Sequence, residues 1–360
     1  MKHIIEANPP VPHPSNNPHV KSVTVDENSA GQRLDNFLMR QLKGVPKTHV
    51  YRIIRSGEVR VNKGRASADT RVEIGDVVRL PPVRMSERAA EKERVMEQAS
   101  AEQASSGRAV KQFPVLFEDD YFLALDKPAG VAVHGGSGVS FGVIEQLRMA
   151  RPGAPFLELV HRLDRETSGI LLVAKKRSAL KNLQDQFRER ETGKTYLAMV
   201  IGQWPANKKV LDKPLHKYLL PDGERRVKVV AKDDPDGMPS LTLVKVRAAG
   251  GVVPGTHQAP VCSDRGYSLL EVTIKTGRTH QIRVHLASEG MPIVGDDKYG
   301  DFDSNKALAR ANSPTPLKRM FLHAWRLQCN HPATGKRLEL QADLPVELVQ
   351  FVHQVLPLAA

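Results

Sequence analysis

One run of residues has the types and spacing to do chemistry. Residues 159–176 read LVHRLDRETSGILLVAKK, an apolar lead into a charged turn centred on Asp164, followed by a strongly apolar strand. A carboxylate held in such a turn can act as nucleophile, base or charge stabiliser. Asp164 lies between Arg162 and Arg165, whose cations favour its ionised form. Thr167 and Ser168 suit hydrogen bonds back to the turn's backbone, and Gly169 suits a positive φ. The same residues also suit a plain polar hairpin corner, whose surface ion pairs stabilise little. Company downstream separates the two readings. Lys194-Thr195-Tyr196 opens a strand with an aromatic ring at its start, and residues 276–285 (TGRTHQIRVH) close another strand and enter a helix carrying Arg283.

Other chemistries fail on spacing. Gly193-Lys194-Thr195 ends like a phosphate loop, but Arg188 stands where that loop needs glycine. Around Ser137, a nucleophile elbow would need glycine where Val139 stands. The 13 histidines supply neither HExxH nor HxE with CxxC, and Cys262 and Cys329 are 67 positions apart, which excludes a zinc knuckle or disulfide framework. His280 and His285, five apart, do not share a helix face well enough for a metal. The expectation is chemistry with no metal and no cofactor. His134, His161, His280 and His285 read as structural or substrate-proximal residues rather than catalytic ones.

At about 150 residues per domain, 360 residues imply two to three domains, and 40% hydrophobic residues suffice for a sizeable core. Apolar stretches such as Ile170–Ala174 fall far short of the ~20 residues of a membrane helix. The first residues lack the layout of a signal peptide, so a cytoplasmic protein with no membrane role is expected. Lys and Arg number 53 against 40 Asp and Glu, a net +13 that attracts polyanions. The excess is clustered: residues 33–84 hold twelve Lys/Arg against five acids, or +7. That concentration favours nucleic acid over a merely solvated face.

The pattern along the chain divides accordingly. Residues 1–20, with five prolines, read as a disordered tail. Residues 21–84 read as a small basic α+β unit. Leu34, Phe37 and Leu38, then Val50, Ile53 and Ile54, mark two helices, and Val59 and Val61 lead into a turn at Asn62-Lys63-Gly64. Residues 85–112, rich in Glu, Ala, Gln and Ser, read as a mobile linker, and 113–360 as one large domain. Its strands are expected at 122–125, 170–174, 196–201, 269–274 and 321–329, and its helices at 141–149, 178–190 and 279–288. Residues 205–210, 232–240, 249–266 and 301–316 read as loops. Because strands and helices do not alternate, the fold class is α+β with a mixed, largely antiparallel sheet.

Together these segments resemble the RluA-type family of RNA pseudouridine synthases, whose signature HRLDxxTSG is met at every fixed position by residues 161–169. The basic unit resembles an S4 (αL-type) RNA-binding domain. The resemblance implies a pseudouridine synthase catalytic domain that isomerises uridine without a cofactor. With the S4-like unit in front, the implied partner is large-subunit (23S) ribosomal RNA and the implied state a monomer. By position, Asp164 stands at the family's catalytic aspartate, Tyr196 at the tyrosine that stacks on uracil, and Arg283 at the arginine that pairs with the aspartate. Arg162 matches an arginine that fills the space of a flipped base. The S4 resemblance implies RNA contacts from Arg33, Lys47, Arg52, Arg55, Lys63 and Arg65.

Overall fold

The computed structural model describes residues 20–26, 29–42, 45–83, 112–135, 141–250, 265–310 and 316–356. The tail and linker expected from composition lie almost wholly outside these residues. The chain divides into two compact units, 1–108 and 109–360.

The first unit contains β1 (Lys21–Thr24), α1 (Leu34–Gln41), α2 (Lys47–Arg55), β2 (Arg60–Val61) and β3 (Val77–Leu80). Its strands pair antiparallel in the order β1-β3-β2. Leu34, Phe37 and Leu38 of α1 and Val50, Ile53 and Ile54 of α2 bury their shared face against Val59, Val72, Val78 and Leu80. This is the 3.6-residue spacing turned into a core. Asn62 and Lys63 both take positive φ (50° and 68°), as a tight turn between twisted strands requires. Ile74, by contrast, is 68% exposed at the tip of the following turn and contributes nothing to the core.

The second unit opens with β4 (Val115–Glu118), β5 (Phe122–Lys127), α3 (Val143–Ala150), β6 (Glu158–Leu159) and β7 (Ser168–Ala174). It continues with α4 (Arg177–Arg188), β8 (Gly193–Ile201), β9 (Val210–Asp212), β10 (Leu215–Leu219), β11 (Arg225–Val229) and β12 (Leu241–Gly250). It ends with β13 (Tyr267–Ile274), α5 (Gln281–Ala287), α6 (Phe302–Leu308), β14 (Leu322–Asn330), β15 (Arg337–Gln341) and α7 (Val346–Val355). The main sheet runs β4-β5-β7-β14-β8-β13-β12-β9, with β6 on β7 and β15 on β14, while β10 and β11 form a separate ribbon. Among the described residues every strand pairing is antiparallel except β7 with β14. The sheet is therefore mixed and largely antiparallel.

Strand β7 is buried at all seven positions and apolar from Ile170 to Ala174, because both its faces are covered. Three apolar clusters lie along the sheet, one of them made by Phe122, Ile170, Leu172, Leu183 and Leu327; the other two flank the candidate site. One gathers Leu123, Leu125, Val143, Leu171 and Val173, the other Met199, Ile201, Leu270, Ile293 and Phe321. The span 301–316 departs from the loop expected there, since its described part contains α6. Asp301 caps that helix by accepting a hydrogen bond from the Ser304 amide, and only Leu308 is buried. Capping and one anchor thus hold a helix with no apolar stripe.

Candidate active site

Topology gathers the candidate residues. Asp164 sits in the turn that launches β7, and β7 lies beside β14, which lies beside β8. The register sets Gly169 opposite Ala324 and Ala324 opposite Tyr196, so the turn and the tyrosine face each other across one strand. This close packing explains the glycine of the signature. Gly169 has φ +105°, and a Cβ there would sit 2.3 Å from the Ala324 carbonyl oxygen. From the next strand outward, β13 ends at Ile274 and the chain turns into α5, which carries Arg283.

The turn itself is held by backbone bonds. The Thr167 amide donates to the Asp164 carbonyl (3.1 Å) and the Gly130 amide to the Arg165 carbonyl (2.9 Å). Fully buried Lys127 donates to the carbonyls of Pro128, Val131 and Arg165 at 2.8–3.0 Å. Burial pushes its ammonium down to about 7, and the three carbonyls use all its donors. Ser168 does not bond the turn as expected. Its hydroxyl accepts from Arg319 (2.6 Å) and pairs with His323 Nδ1 (2.8 Å), whose Nε2 reaches the Ala342 carbonyl (3.0 Å). Ser168 and His323 are 1% and 0% exposed, so this pair is structural and no substrate reaches it.

Arg283 is the cation at Asp164. Its Nη1 lies 3.5 Å from Asp164 Oδ2, although 119 positions separate them in sequence. The neighbours in sequence do otherwise: Arg165 pairs with Glu166 (2.8 Å), and exposed Arg162 lines the cleft. Arg283 is 3% exposed and fixed from behind by Asp296, with Nε–Oδ2 at 2.7 Å and Nη2–Oδ1 at 2.6 Å. Asp297 adds a contact at 3.0 Å. Burial works against the Arg283 charge, but the bonds to Asp296 outweigh it and raise its pKa. Asp296 in turn also accepts from the amides of Lys298 and Tyr299. Around α5, Gln281 bonds the Thr276 hydroxyl, the Arg278 amide, the Leu241 carbonyl and the Thr242 hydroxyl. His285, fully buried, bonds Thr242 and the Lys213 carbonyl. These contacts set the rotation of a helix only seven residues long.

The cleft is lined by Asp164, Arg162, Tyr196, Arg278, His280 and Arg283 among others. An adjoining pocket of about 530 Å³ shares Asp164, Arg162 and Tyr196 and adds His161, Phe187 and Lys194. Burial first, and the Asp164 carboxylate second, hold the Tyr196 phenol well above its usual pKa, so it is a neutral O–H beside an aromatic face. His161 is stacked on Phe187 (4.7 Å between centroids) and accepts from the Leu172 amide (3.1 Å), and burial pushes it down to about 4. It is a neutral prop of the turn. One group among the described residues, His216, Asp234 and Asp236, brings potential metal-ligating atoms within 4.8 Å of one another; none of the three lines the cleft. Asp296, Lys127, Gln281 and Arg319 were not predicted from sequence. A buried arginine demands a carboxylate partner, and the Asp296-Asp297 pair just after apolar Ile293-Val294 was the available signal.

In the first unit, Lys47, Arg52 and Arg55 are exposed along α2, and Arg65 lies across its end, with one Nη 3.4 Å from the Ser56 carbonyl. Lys63 is exposed in the β2 turn. Arg33 is exposed but half committed, since its guanidinium bonds buried Asp35 (2.8 Å), which also accepts from Tyr51 (3.0 Å).

Comparison with known proteins identifies the family of the chain. Residues 121–288 match the RNA pseudouridylate synthase family and residues 32–78 the S4 domain. The chain is 48% identical over 338 residues to ribosomal large subunit pseudouridine synthase C of Escherichia coli (strain K12), covering 94% of this chain and 97% of the relative. It is also 48% identical over 331 residues to the protein of that name from Salmonella typhi, covering 92% and 95%. Among solved structures, human RNA pseudouridylate synthase domain containing 1 aligns with a TM-score of 0.52 at 26% identity, over 66% of this chain and 85% of that one. The chain therefore belongs to the RNA pseudouridylate synthase family and is an RNA pseudouridine synthase with an N-terminal S4 domain.

Proposed function

We propose that this enzyme isomerises specific uridines of large-subunit (23S) ribosomal RNA to pseudouridine, with Asp164 as the catalytic carboxylate and no cofactor. The observation that carries the reading is the Asp164–Arg283 pair at 3.5 Å, set beside Tyr196 in one cleft and braced by buried Asp296. The names of relatives 48% identical over most of the chain support the choice of RNA.

The chemistry moves one bond. The N1–C1′ bond breaks, the uracil turns within the pocket, and C5 bonds to C1′. C5 then loses its proton, N1 ends protonated, and nothing is oxidised or reduced. A carboxylate beside C1′ offsets the positive charge that develops as N1 departs. Arg283, ion-paired yet rigid, holds that carboxylate in place. The Tyr196 ring offers a face for the loose base, and exposed Arg162 can occupy its vacated stack. Such contacts offset the few kcal/mol that unstacking costs. Lys47, Arg52, Arg55, Lys63, Arg65 and the free edge of Arg33 contact the RNA backbone. The enzyme works as a cytoplasmic monomer. Chemical mapping of pseudouridine in large-subunit RNA from a strain lacking the gene tests the proposal. Specific sites should lose the modification and regain it when the gene is returned; an unchanged map refutes it.

A further inference from the structure

His280 stands out for what it costs. It occupies the left-handed region (φ 52°, ψ 20°), where a residue with a Cβ is strained. It lines the cleft, half-enclosed, with Nε2 3.9 Å from Asp164 Oδ2. Arg283 approaches that same oxygen at 3.5 Å. The two donors therefore make their nearest approach to the same oxygen, Oδ2, and neither hydrogen-bonds Oδ1.

The hydrogen-bond pattern assigns the imidazole's tautomer. The Val227 amide, which can only donate, lies 3.0 Å from the Tyr299 hydroxyl. That hydroxyl lies 2.7 Å from His280 Nδ1. The oxygen accepts from Val227, and among the described residues Nδ1 is the one acceptor within reach of the phenol's own proton. With that proton on Nδ1, the ring's proton belongs on Nε2, facing Asp164. Tyr299 keeps that proton: burial, the largest influence, pushes its pKa up to about 12. Burial likewise lowers the His280 pKa against the opposing pull of Asp164, keeping the imidazole neutral. The relay is braced from outside. Arg226 lies over the Tyr299 ring and donates to the Lys298 carbonyl, and Lys298 pairs with Glu224 on the turn joining β10 to β11.

We propose that His280 is a positioning residue for the reaction: a neutral Nε2–H donor, its tautomer fixed by Tyr299 and Val227, that shares Oδ2 of Asp164 with Arg283 and leaves Oδ1 to act on the nucleotide. The distance of 3.9 Å closes to a hydrogen bond when the nucleotide fills the cleft, as catalytic contacts commonly tighten on binding. The inference rests on Asp164 being the catalytic carboxylate. It also makes the β10–β11 ribbon part of the catalytic apparatus, since the relay begins at Val227.

The test is single-turnover pseudouridine formation on large-subunit RNA from a strain lacking the gene, with full-length variants. His280→Met and His280→Gln carry the same left-handed strain, but only Gln retains an N–H donor. His280→Met should slow the chemical step about tenfold or more, the worth of one hydrogen bond to a charged group, with RNA affinity within about twofold. His280→Gln should recover most of the rate, and Tyr299→Phe should fall between. Nitrogen-15 spectra should show the Nε2–H tautomer in the wild type and a mixture in Tyr299→Phe. Equal impairment of Met and Gln, a wild-type rate for Met, or an Nδ1–H tautomer would overturn the proposal. Asp164→Asn separates the two claims: if it is active, the reading of Asp164 fails; if it is inactive while His280→Met is unaffected, only the inference fails.

Discussion

Asp296→Asn is a sharp probe of how the active site is held. Asp296 is 1% exposed and grips Arg283 with both oxygens at 2.6 and 2.7 Å. The substitution preserves size and one carbonyl acceptor but removes the charge that balances a buried guanidinium. Losing one partner of a buried pair costs about 3–5 kcal/mol. Asp164 and Asp297 remain near Arg283, and Asn keeps an acceptor for the turn amides, so the low end, about 3 kcal/mol, applies. In a unit of 109–360 that corresponds to a fall in Tm of roughly 6–12 °C. Catalysis should suffer more, because a guanidinium loosened by about 1 Å no longer fixes Asp164, a displacement of the kind that costs about 10²-fold. Asp297→Asn is the control. Its side chain is 61% exposed, and a surface pair contributes about 1 kcal/mol or less. Calorimetry and single-turnover rates on both variants decide the matter. Equal effects from the two, or a wild-type Tm for Asp296→Asn, would refute the reasoning that burial makes Asp296 the brace.

Other outcomes follow from the same geometry. Gly169→Ala combines a φ of +105° with a Cβ 2.3 Å from the Ala324 carbonyl oxygen, and should cost about 3 kcal/mol or more in urea unfolding. Acid should weaken the fold through His323, fully buried and held down to about 4 by burial, against about 6.5 when unfolded. Because the folded pKa is the lower, its contribution of about 3 kcal/mol is intact above pH 6.5 and lost as pH falls toward 4. Urea midpoints at pH 7 and 5 measure this, and His323→Gln should shrink the difference without abolishing it, since burial also holds His161 down to about 4. Arg55→Ala, on the exposed face of α2, should lower the slope of log affinity against log salt by about 0.9 without changing which uridine is modified. Filter binding across a salt series reads the slope.

Much of the site was legible because its chemistry lies in short, dense segments. The turn at Asp164, the aromatic start of the strand at Tyr196 and the polar run before Arg283 each stand out within ten residues. The helices of the first unit were legible from apolar spacing alone. What escaped depends on contacts between distant segments. Asp296 looks like a loop acid until Arg283 is seen buried against it, and Lys127 looks like a strand-end lysine until three carbonyls surround it. The β10–β11 ribbon carries Lys217, Tyr218, Arg225 and Lys228, because a ribbon outside the main sheet needs no apolar alternation. Local charge also misled: the cation that meets Asp164 is Arg283, while Arg165 turns to Glu166.

The central claim is that Asp164 is the carboxylate that carries uridine isomerisation in large-subunit RNA. Its most direct measurement is pseudouridine formation by Asp164→Asn, a nearly isosteric change, on RNA from a strain lacking the gene. The predicted result is no detectable product, with RNA affinity within a few fold of wild type and an unchanged fold. Product formed at a rate near that of the wild type would contradict it.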